Sequence, residues 1–204
     1  ELIDTIRELP KVCHYLDMPI QHVNDRILKR MGRRTTNQEL REKIALIRER
    51  IPDIALRTTL ICGFPGETDE EHEEQMAFLD EMEFDRMGAF AYSQEENTPA
   101  ALLPDQIDDA VKEDRRDEAM ALQEEVILDA NEARIGEHLE VMIEGELPGE
   151  GVYIGRSYRD APDVDGYVFV QNDRPLVSGD FVRVRISGAW EYDLLGVIED
   201  ESAE

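Results

Sequence analysis

Ile54-Ala-Leu-Arg-Thr-Thr-Leu-Ile-Cys62, followed directly by Gly63-Phe-Pro-Gly66, is the stretch on which the fold turns. It is β-rich and mostly apolar, the pattern of a strand covered on both faces in a parallel sheet. After the glycine-bounded turn, Thr68 to Glu71 has the spacing of a capping box, a hydroxyl for one orphan amide and a carboxylate reaching back. Asp69, Glu70 and Glu71 fill the first helical turn, where the macrodipole favours acids. Met76, Leu79 and Met82 then give the helix a buried stripe. Strand, tight turn and helix make one β-to-α step.

The same step recurs on either side. Upstream, Val12 to Leu16 reads as a strand, Met18-Pro19 as its turn and Asp25 to Met31 as a helix. Thr36 to Glu39 is a second capping box, with Leu40, Ile44, Ile47 and Ile51 following at helical intervals and Pro52 where such a helix must stop. Downstream, Phe84 to Tyr92 reads as a third strand. Alternating elements of this kind build a wound or barrel-like parallel sheet.

From Asp105 to Ile135 the pattern is one long charged helix, with Val111, Ala119, Leu122, Val126 and Ala133 expected on its inner face. After Gly136 the period changes to two. His138 to Glu144, Val152 to Ile154, Tyr167 to Val170 and Phe181 to Ile186 alternate, separated by turn signals at Pro148-Gly149, Ala161-Pro162-Asp163 and Val177 to Asp180. About five short strands in this space predict a small barrel of oligonucleotide-binding type. The expected division is a partial parallel α/β barrel over 1–104, a closing helix and linker over 105–135, an all-β barrel over 136–200 and a loose acidic tail over 201–204.

Charge narrows the partners. The 204 residues carry 48 acids against 22 Lys and Arg, a formal net charge of −26. Such a field repels nucleic-acid backbone unless a local basic stripe overrides it, and it draws in basic partners. A general acidic bias that keeps a protein soluble at high salt would produce the same total. Cys13 and Cys62 are far apart, which is neither a disulfide framework nor a metal motif, and on predicted strands they read as core residues. No window has the length and apolarity of a membrane span and the first residues are not a signal peptide, so the expected setting is the cytoplasm. The chain begins at Glu1 without Met and reads as a piece of something longer.

Three segments carry candidate chemistry. In parallel barrels, ligand contacts come from residues just beyond the C-terminal ends of strands. Gln21 and His22 occupy such a place, and Arg33 or Arg34 is available to a carboxylate. Gly63 to Glu67 follows the central strand, where glycines let backbone approach a ligand; no Lys follows Gly66, so this is not a phosphate loop. Phe90 and Tyr92, with Ser93, end the third strand and are able to flank a flat ring. Each also has a plain structural reading: polar groups serving backbone, an ordinary turn, and core aromatics. Asp163 to Gly166 hints at a calcium loop, but Ala161 and Asn172 occupy its first and last ligand positions, which excludes it. Trp190 and Tyr192 read as barrel-core aromatics, with a base-stacking platform as the alternative.

In this order and spacing the three segments resemble the second half of the radical S-adenosylmethionine barrel of methylthiotransferases. Within that group, Asp17-Met-Pro-Ile-Gln-His22 and Gly155-Arg-Ser-Tyr-Arg-Asp-Ala-Pro-Asp-Val-Asp-Gly166 resemble the RimO family, which modifies a ribosomal protein, and the trailing barrel resembles its TRAM domain. The sister family acting on tRNA reads Leu-Pro-x-Gln-Ser where this chain has Met-Pro-Ile-Gln-His. The resemblance implies methylthiolation of the β-carbon of an aspartate in small-subunit ribosomal protein twelve. It implies S-adenosylmethionine as cofactor and two 4Fe-4S clusters in the parent enzyme, whose C-x-x-x-C-x-x-C ligands are not in this sequence, so this chain alone is expected to be inactive. It places Gln21 and Arg33 near the amino-acid end of S-adenosylmethionine, Gly63, Phe64, Pro65, Gly66 and Glu67 beside its adenosine, and Phe90, Tyr92 and Ser93 near adenine.

From Gly136 to Asp200 there are fourteen acids, five arginines and no lysine. That composition favours a basic ribosomal protein over RNA as the partner of the small barrel, for Arg183 and Arg185 alone make a thin basic stripe. A tRNA methylthiotransferase and a non-enzymatic acidic binding module remain the alternatives. The sheet edge left open in a partial barrel predicts self-association of this chain.

Overall fold

The computed structural model describes residues 1–149, 151–172 and 174–198. The chain forms two compact units, Glu1–Leu9 with Leu16–Val126, and Pro10–Tyr15 with the described residues from Ile127 onward.

The first unit is built around a three-stranded sheet in the order β1 (Tyr15–Asp17), β2 (Ala55–Cys62), β3 (Arg86–Ala91). β2 and β3 run parallel, from Arg57 opposite Arg86 to Cys62 opposite Ala91. Around it lie α1 (Leu2–Glu8), α2 (Asp25–Arg30), α3 (Asn37–Arg50), α4 (Asp69–Met82) and α5 (Asp109–Glu132), with a 3-10 turn at Ala100–Leu102. Both expected capping boxes form, Thr36 with Glu39 and Thr68 with Glu71. Asn24 caps α2 by accepting the Arg26 and Ile27 amides.

Alternation along β2 sorts its two faces. Thr58, Leu60 and Cys62 are buried, and Leu60 and Cys62 share one core with Ile44 and Ile47 of α3, Phe78 and Leu79 of α4 and Ala119 of α5. Removing a side chain such as Phe78 from water stabilises the unit by roughly 2–3 kcal/mol. Arg57, Thr59 and Ile61 point to the other face and are only partly buried.

Three expectations need correction here. The first strand begins at Tyr15 instead of Val12, because Pro10 and Lys11 sit in a turn; Cys13 is consequently exposed and is not a core residue, whereas Cys62 is buried on β2. The long helix starts at Asp109, its first turn capped by the Asp108 carboxylate on the Ala110 amide. Its inner face is only in part the apolar one read from the sequence: Ala119 is buried in the core and Leu122 packs against it. Val111 and Ala133 are exposed, while Lys112, Arg115, Ala119, Gln123, Ile127 and Asn131 are buried at helical spacing. Partners explain the polar members: Arg115 meets Glu67 in the first unit, the Gln123 amide donates to the Phe84 carbonyl there, and Asn131 donates to the Glu191 carbonyl in the second.

The second unit is a closed barrel in the order β4 (His138–Leu147), β5 (Val152–Arg156), β6 (Val168–Gln171), β8 (Asp193–Ile198), β7 (Phe181–Trp190). β6 and β8 pair in parallel and the other neighbours antiparallel. Leu139, Val141, Ile143, Tyr153, Val168, Val170, Val184, Ile186 and Leu194 fill the interior. Inward-facing Gly155 and Gly196 have no room for more: a Cβ on them would lie 2.5 Å from Val141 Cγ1 and 2.2 Å from Val184 Cγ1. β8 goes beyond the four alternating stretches marked in the sequence. Trp190 is not a core aromatic; at the end of β7 it is 62% exposed. The expected acidic tail, 201–204, lies outside the described residues.

Candidate functional site

Two adjoining pockets open at the C-terminal ends of the parallel strands, about 410 and 460 Å³ in volume. Gln21, Ile61, Thr98 and Ala100 line both. Phe90, Tyr92, Ser93 and Glu95 complete the first; Arg30, Arg33, Phe64 and Pro99 belong to the second.

Gln21 sits on the boundary, and its backbone explains how. Its amide donates to the Thr59 carbonyl at 2.8 Å and its carbonyl accepts the Ile61 amide at 2.8 Å, a single parallel bridge onto β2. Between those bonds its φ is 71°, in the left-handed region that a non-glycine residue seldom occupies. The two bonds hold a backbone that on its own would relax, and so fix where the side chain leaves the chain.

The turn after β2 forms the second wall. Gly66 has φ 79°, and a Cβ there would meet the Arg30 guanidinium, whose nearest atom would be 3.2 Å away. The glycine lets Arg30 lie against the turn. Arg30 Nε and Nη2 are buried without a hydrogen-bond partner. Phe64 packs edge-on against Tyr92 at 5.3 Å, and Lys112 Nζ lies 5.5 Å from the Tyr92 ring centre. The Tyr92 hydroxyl is buried and also lacks a hydrogen-bond partner.

Glu67 braces this turn from behind. Its side chain is fully buried; Oε2 accepts the Gly63 amide at 2.9 Å and the Phe64 amide at 3.3 Å, and Oε1 accepts from Arg115 Nη1 at 2.9 Å. His22 turns inward instead of facing the pocket. Its Nδ1 accepts the Asn24 amide at 3.0 Å, which leaves the proton on Nε2. Nε2 lies 3.3 Å from Glu67 Oε2 but is misaligned for a hydrogen bond. Further out, Arg26 donates to Glu71 at 2.7 Å and to the Gly66 carbonyl at 2.6 Å. Partial burial opposes ionisation of Glu71, but the Arg26 hydrogen bond and the Thr68 amide outweigh it and hold the carboxyl below its usual range. Burial, with Glu67 nearby, pushes the Cys62 thiol up to about 12.

Of the residues marked in the sequence, Gln21, Arg33, Phe64, Phe90, Tyr92 and Ser93 line the pockets. Gly63, Pro65 and Gly66 form the turn behind Phe64, and Glu67 points into the interior. Sequence reasoning passed over Thr59 and Thr98 in the lining and Arg115 behind it. Thr59 was within reach, since it alternates with Ile61 along β2; Arg115 carried no signal apart from its helical spacing to Lys112 and Ala119. Among the described residues no group of three or more His, Cys, Asp or Glu is placed to hold a metal ion. Nor is any helix among them long and apolar enough to cross a membrane.

Comparison with known proteins gives two domain matches, the Radical SAM superfamily over residues 1–79 and the TRAM domain over 135–198. The chain is 53% identical to the ribosomal protein uS12 methylthiotransferase RimO of Lachnoclostridium phytofermentans over 98% of its own length and 45% of that protein's. The proteins of the same name from Desulfitobacterium hafniense and Clostridioides difficile are 48% and 47% identical over 97% and 100% of this chain, covering 44% and 46% of theirs. The chain therefore spans a little under half the length of these relatives. With identity sustained through a parallel α/β unit and a closed five-stranded barrel, and with both domain matches in that order, the chain belongs to the RimO family.

Proposed function

We propose that the protein to which this chain belongs is a radical S-adenosylmethionine methylthiotransferase. In this reading it adds a methylthio group to the β-carbon of an aspartate in ribosomal protein uS12, in the cytoplasm. The chain contributes one wall of the S-adenosylmethionine pocket, from the barrel portion 1–104 joined by 105–135 to the TRAM portion 136–200. What carries the reading is Gln21, held in a left-handed conformation by two backbone bonds to β2 at the junction of two pockets whose walls contain unpartnered buried polar atoms.

The residues present suit that cofactor. S-adenosylmethionine has a carboxylate at one end and a flat purine at the other. Arg33, with Arg30 and its unpaired nitrogens beside it, supplies charge for the first. Phe90, 58% exposed at the strand end, and Tyr92 with its free hydroxyl offer a ring face and an unmet hydrogen bond to the second. Gln21 would orient the ligand between them, Ser93 would lie at the adenine end, and Glu67 would act indirectly by fixing Gly63 to Gly66 beside the adenosine. Bound S-adenosylmethionine supplies the radical and the methyl group; these residues bind it, orient it and limit water at its ends.

The same residues do not fit an iron–sulfur cluster. Cys62 is buried with its thiol held protonated, and Cys13 is a single exposed thiol. We assign the cluster ligands to parts of the protein outside this chain, and no step is derived through them.

The TRAM portion, acidic throughout, fits a basic protein substrate better than RNA. The test is to express the parent reading frame, reconstitute its clusters and assay uS12 for the methylthio mass increase. A mass gain on tRNA alone would replace this reading with that of the sister family.

A further inference from the structure

Single exposed apolar residues are ordinary on protein surfaces; a contiguous group on neighbouring strands is not. On the barrel such a group faces outward, half-buried at Ile154, Tyr167 and Phe169 and exposed at Leu195 and Trp190. Ladder register puts Ile154 of β5 opposite Phe169 of β6, Phe169 opposite Leu195 of β8, and Leu195 opposite Gly188 of β7. All four alternate with residues that fill the core, so they share the outer face. Leu195 is 38% exposed and leans toward Gly188, where an added Cβ would come within 3.4 Å of it.

The next row extends the patch. Trp190 stands opposite Asp193, whose carboxylate accepts the Tyr167 amide at 2.7 Å. The Tyr167 ring packs against Phe169 with centres 6.5 Å apart. The result is an aromatic and aliphatic outer face across four strands with the Asp193 carboxylate at one end.

Charge decides what such a platform fits. Over 136–200 there are fourteen acids to five arginines. Arg156 is bound by Glu144 at 2.7 Å and Arg183 stands opposite Glu140 across the ladder, so these two cations are matched close at hand. Aromatic faces beside carboxylates favour guanidinium and ammonium groups through their ring quadrupoles. They would also stack bases, but the net negative charge of this portion of the chain repels the phosphates that accompany them.

We infer that the outer face formed by Ile154, Phe169, Leu195, Tyr167 and Trp190 is the docking surface for a cationic, Arg- or Lys-bearing segment of the protein substrate. The inference rests on the reading of the TRAM portion as the module that receives a basic protein. Trp190 anchors the contact and Asp193 supplies the counter-charge.

Trp190 is the sole tryptophan, so its fluorescence reports directly on the face. The experiment titrates the full chain with uS12 and, separately, with a single-stranded RNA oligonucleotide, following emission and, by calorimetry, binding. W190S and L195S are compared with F181S, an exposed change at the opposite end of β7, after circular dichroism confirms that all three fold. The expected result is a Trp190 emission change on adding uS12, with affinity lowered at least tenfold by W190S and by L195S and held within twofold by F181S. If uS12 binds without moving Trp190 emission and the variants bind normally, the face is wrong while the reading of the TRAM portion stands. If RNA alone perturbs Trp190, or neither ligand binds, both are overturned.

Discussion

Glu67 Oε1 and Arg115 Nη1 lie 2.9 Å apart with both side chains closed off from solvent. The turn that shapes the candidate pocket is thus held from behind by a charge pair joining two distant parts of the chain. Removing Arg115 leaves the buried Glu67 carboxylate without its cation, at a cost of about 3–5 kcal/mol, whereas without Glu67 the Arg115 guanidinium still donates to Asp69 at 2.6 Å. R115M should therefore lower the urea midpoint more than E67Q, and the double variant should recover a substantial part of the R115M loss. Strictly additive effects in the cycle would show that the pair is not coupled.

Arg26 and Glu71 give the stability a pH signature. Because the folded state holds the Glu71 carboxyl below its ordinary value, its contribution is complete above the unfolded-state pKa and fades as pH falls through the folded one. On acidification from about pH 6 to about pH 3, E71Q should therefore lose less of its melting temperature than the parent chain does. Identical slopes would mean that the pairing contributes nothing.

The two thiols should behave as opposites. Exposed Cys13 should react with iodoacetamide in the native chain within minutes. Cys62, buried and with its thiol pushed up to about 12, should react only once the chain is unfolded. Mass spectrometry should find one label before denaturant and two after; a second label on the native chain would show that β2 opens.

Gly196 tests the barrel interior. A methyl added there meets Val184 Cγ1 at 2.2 Å, so G196A should lower stability by about 1–3 kcal/mol through overpacking. Adding V184A should relieve part of that loss, measured by thermal melts of all three proteins. If V184A instead worsens it, backbone strain near Arg185 is the cause, since its carbonyl would lie 3.1 Å from the new carbon.

Where local chemistry decides an element, the sequence was readable. Both capping boxes, the parallel strand at β2 and the change to period two after Gly136 depend on neighbours a few residues apart, and all are present. Misreadings arose where distant partners decide. The inner face of α5 carries Arg115, Gln123 and Asn131 beside its apolar residues because Glu67, the Phe84 carbonyl and the Glu191 carbonyl wait for them, and no periodicity of apolar residues signals that. Trp190 is apolar enough for a core, but the register shift in β7 between Ile186 and Gly188 puts Gly188 and Trp190 on the outer face. In the candidate site, residue type found Gln21 and Phe64, while the left-handed φ of Gln21 and the inward turn of His22 needed the backbone path.

The parallel pairing of β6 with β8 has a consequence for the order of assembly. Without β8, the strands form an open curled sheet, β7-β4-β5-β6, whose two outer edges are the ones β8 joins. During synthesis, a chain that has emerged only as far as Trp190 holds two unpaired strand edges at once, each able to recruit a stranger. Ring closure waits on Asp193–Ile198, so β8 acts as a latch. Nascent chains stalled just before Asp193 should be the protease-sensitive, chaperone-dependent species, and those stalled well beyond Ile198 should not.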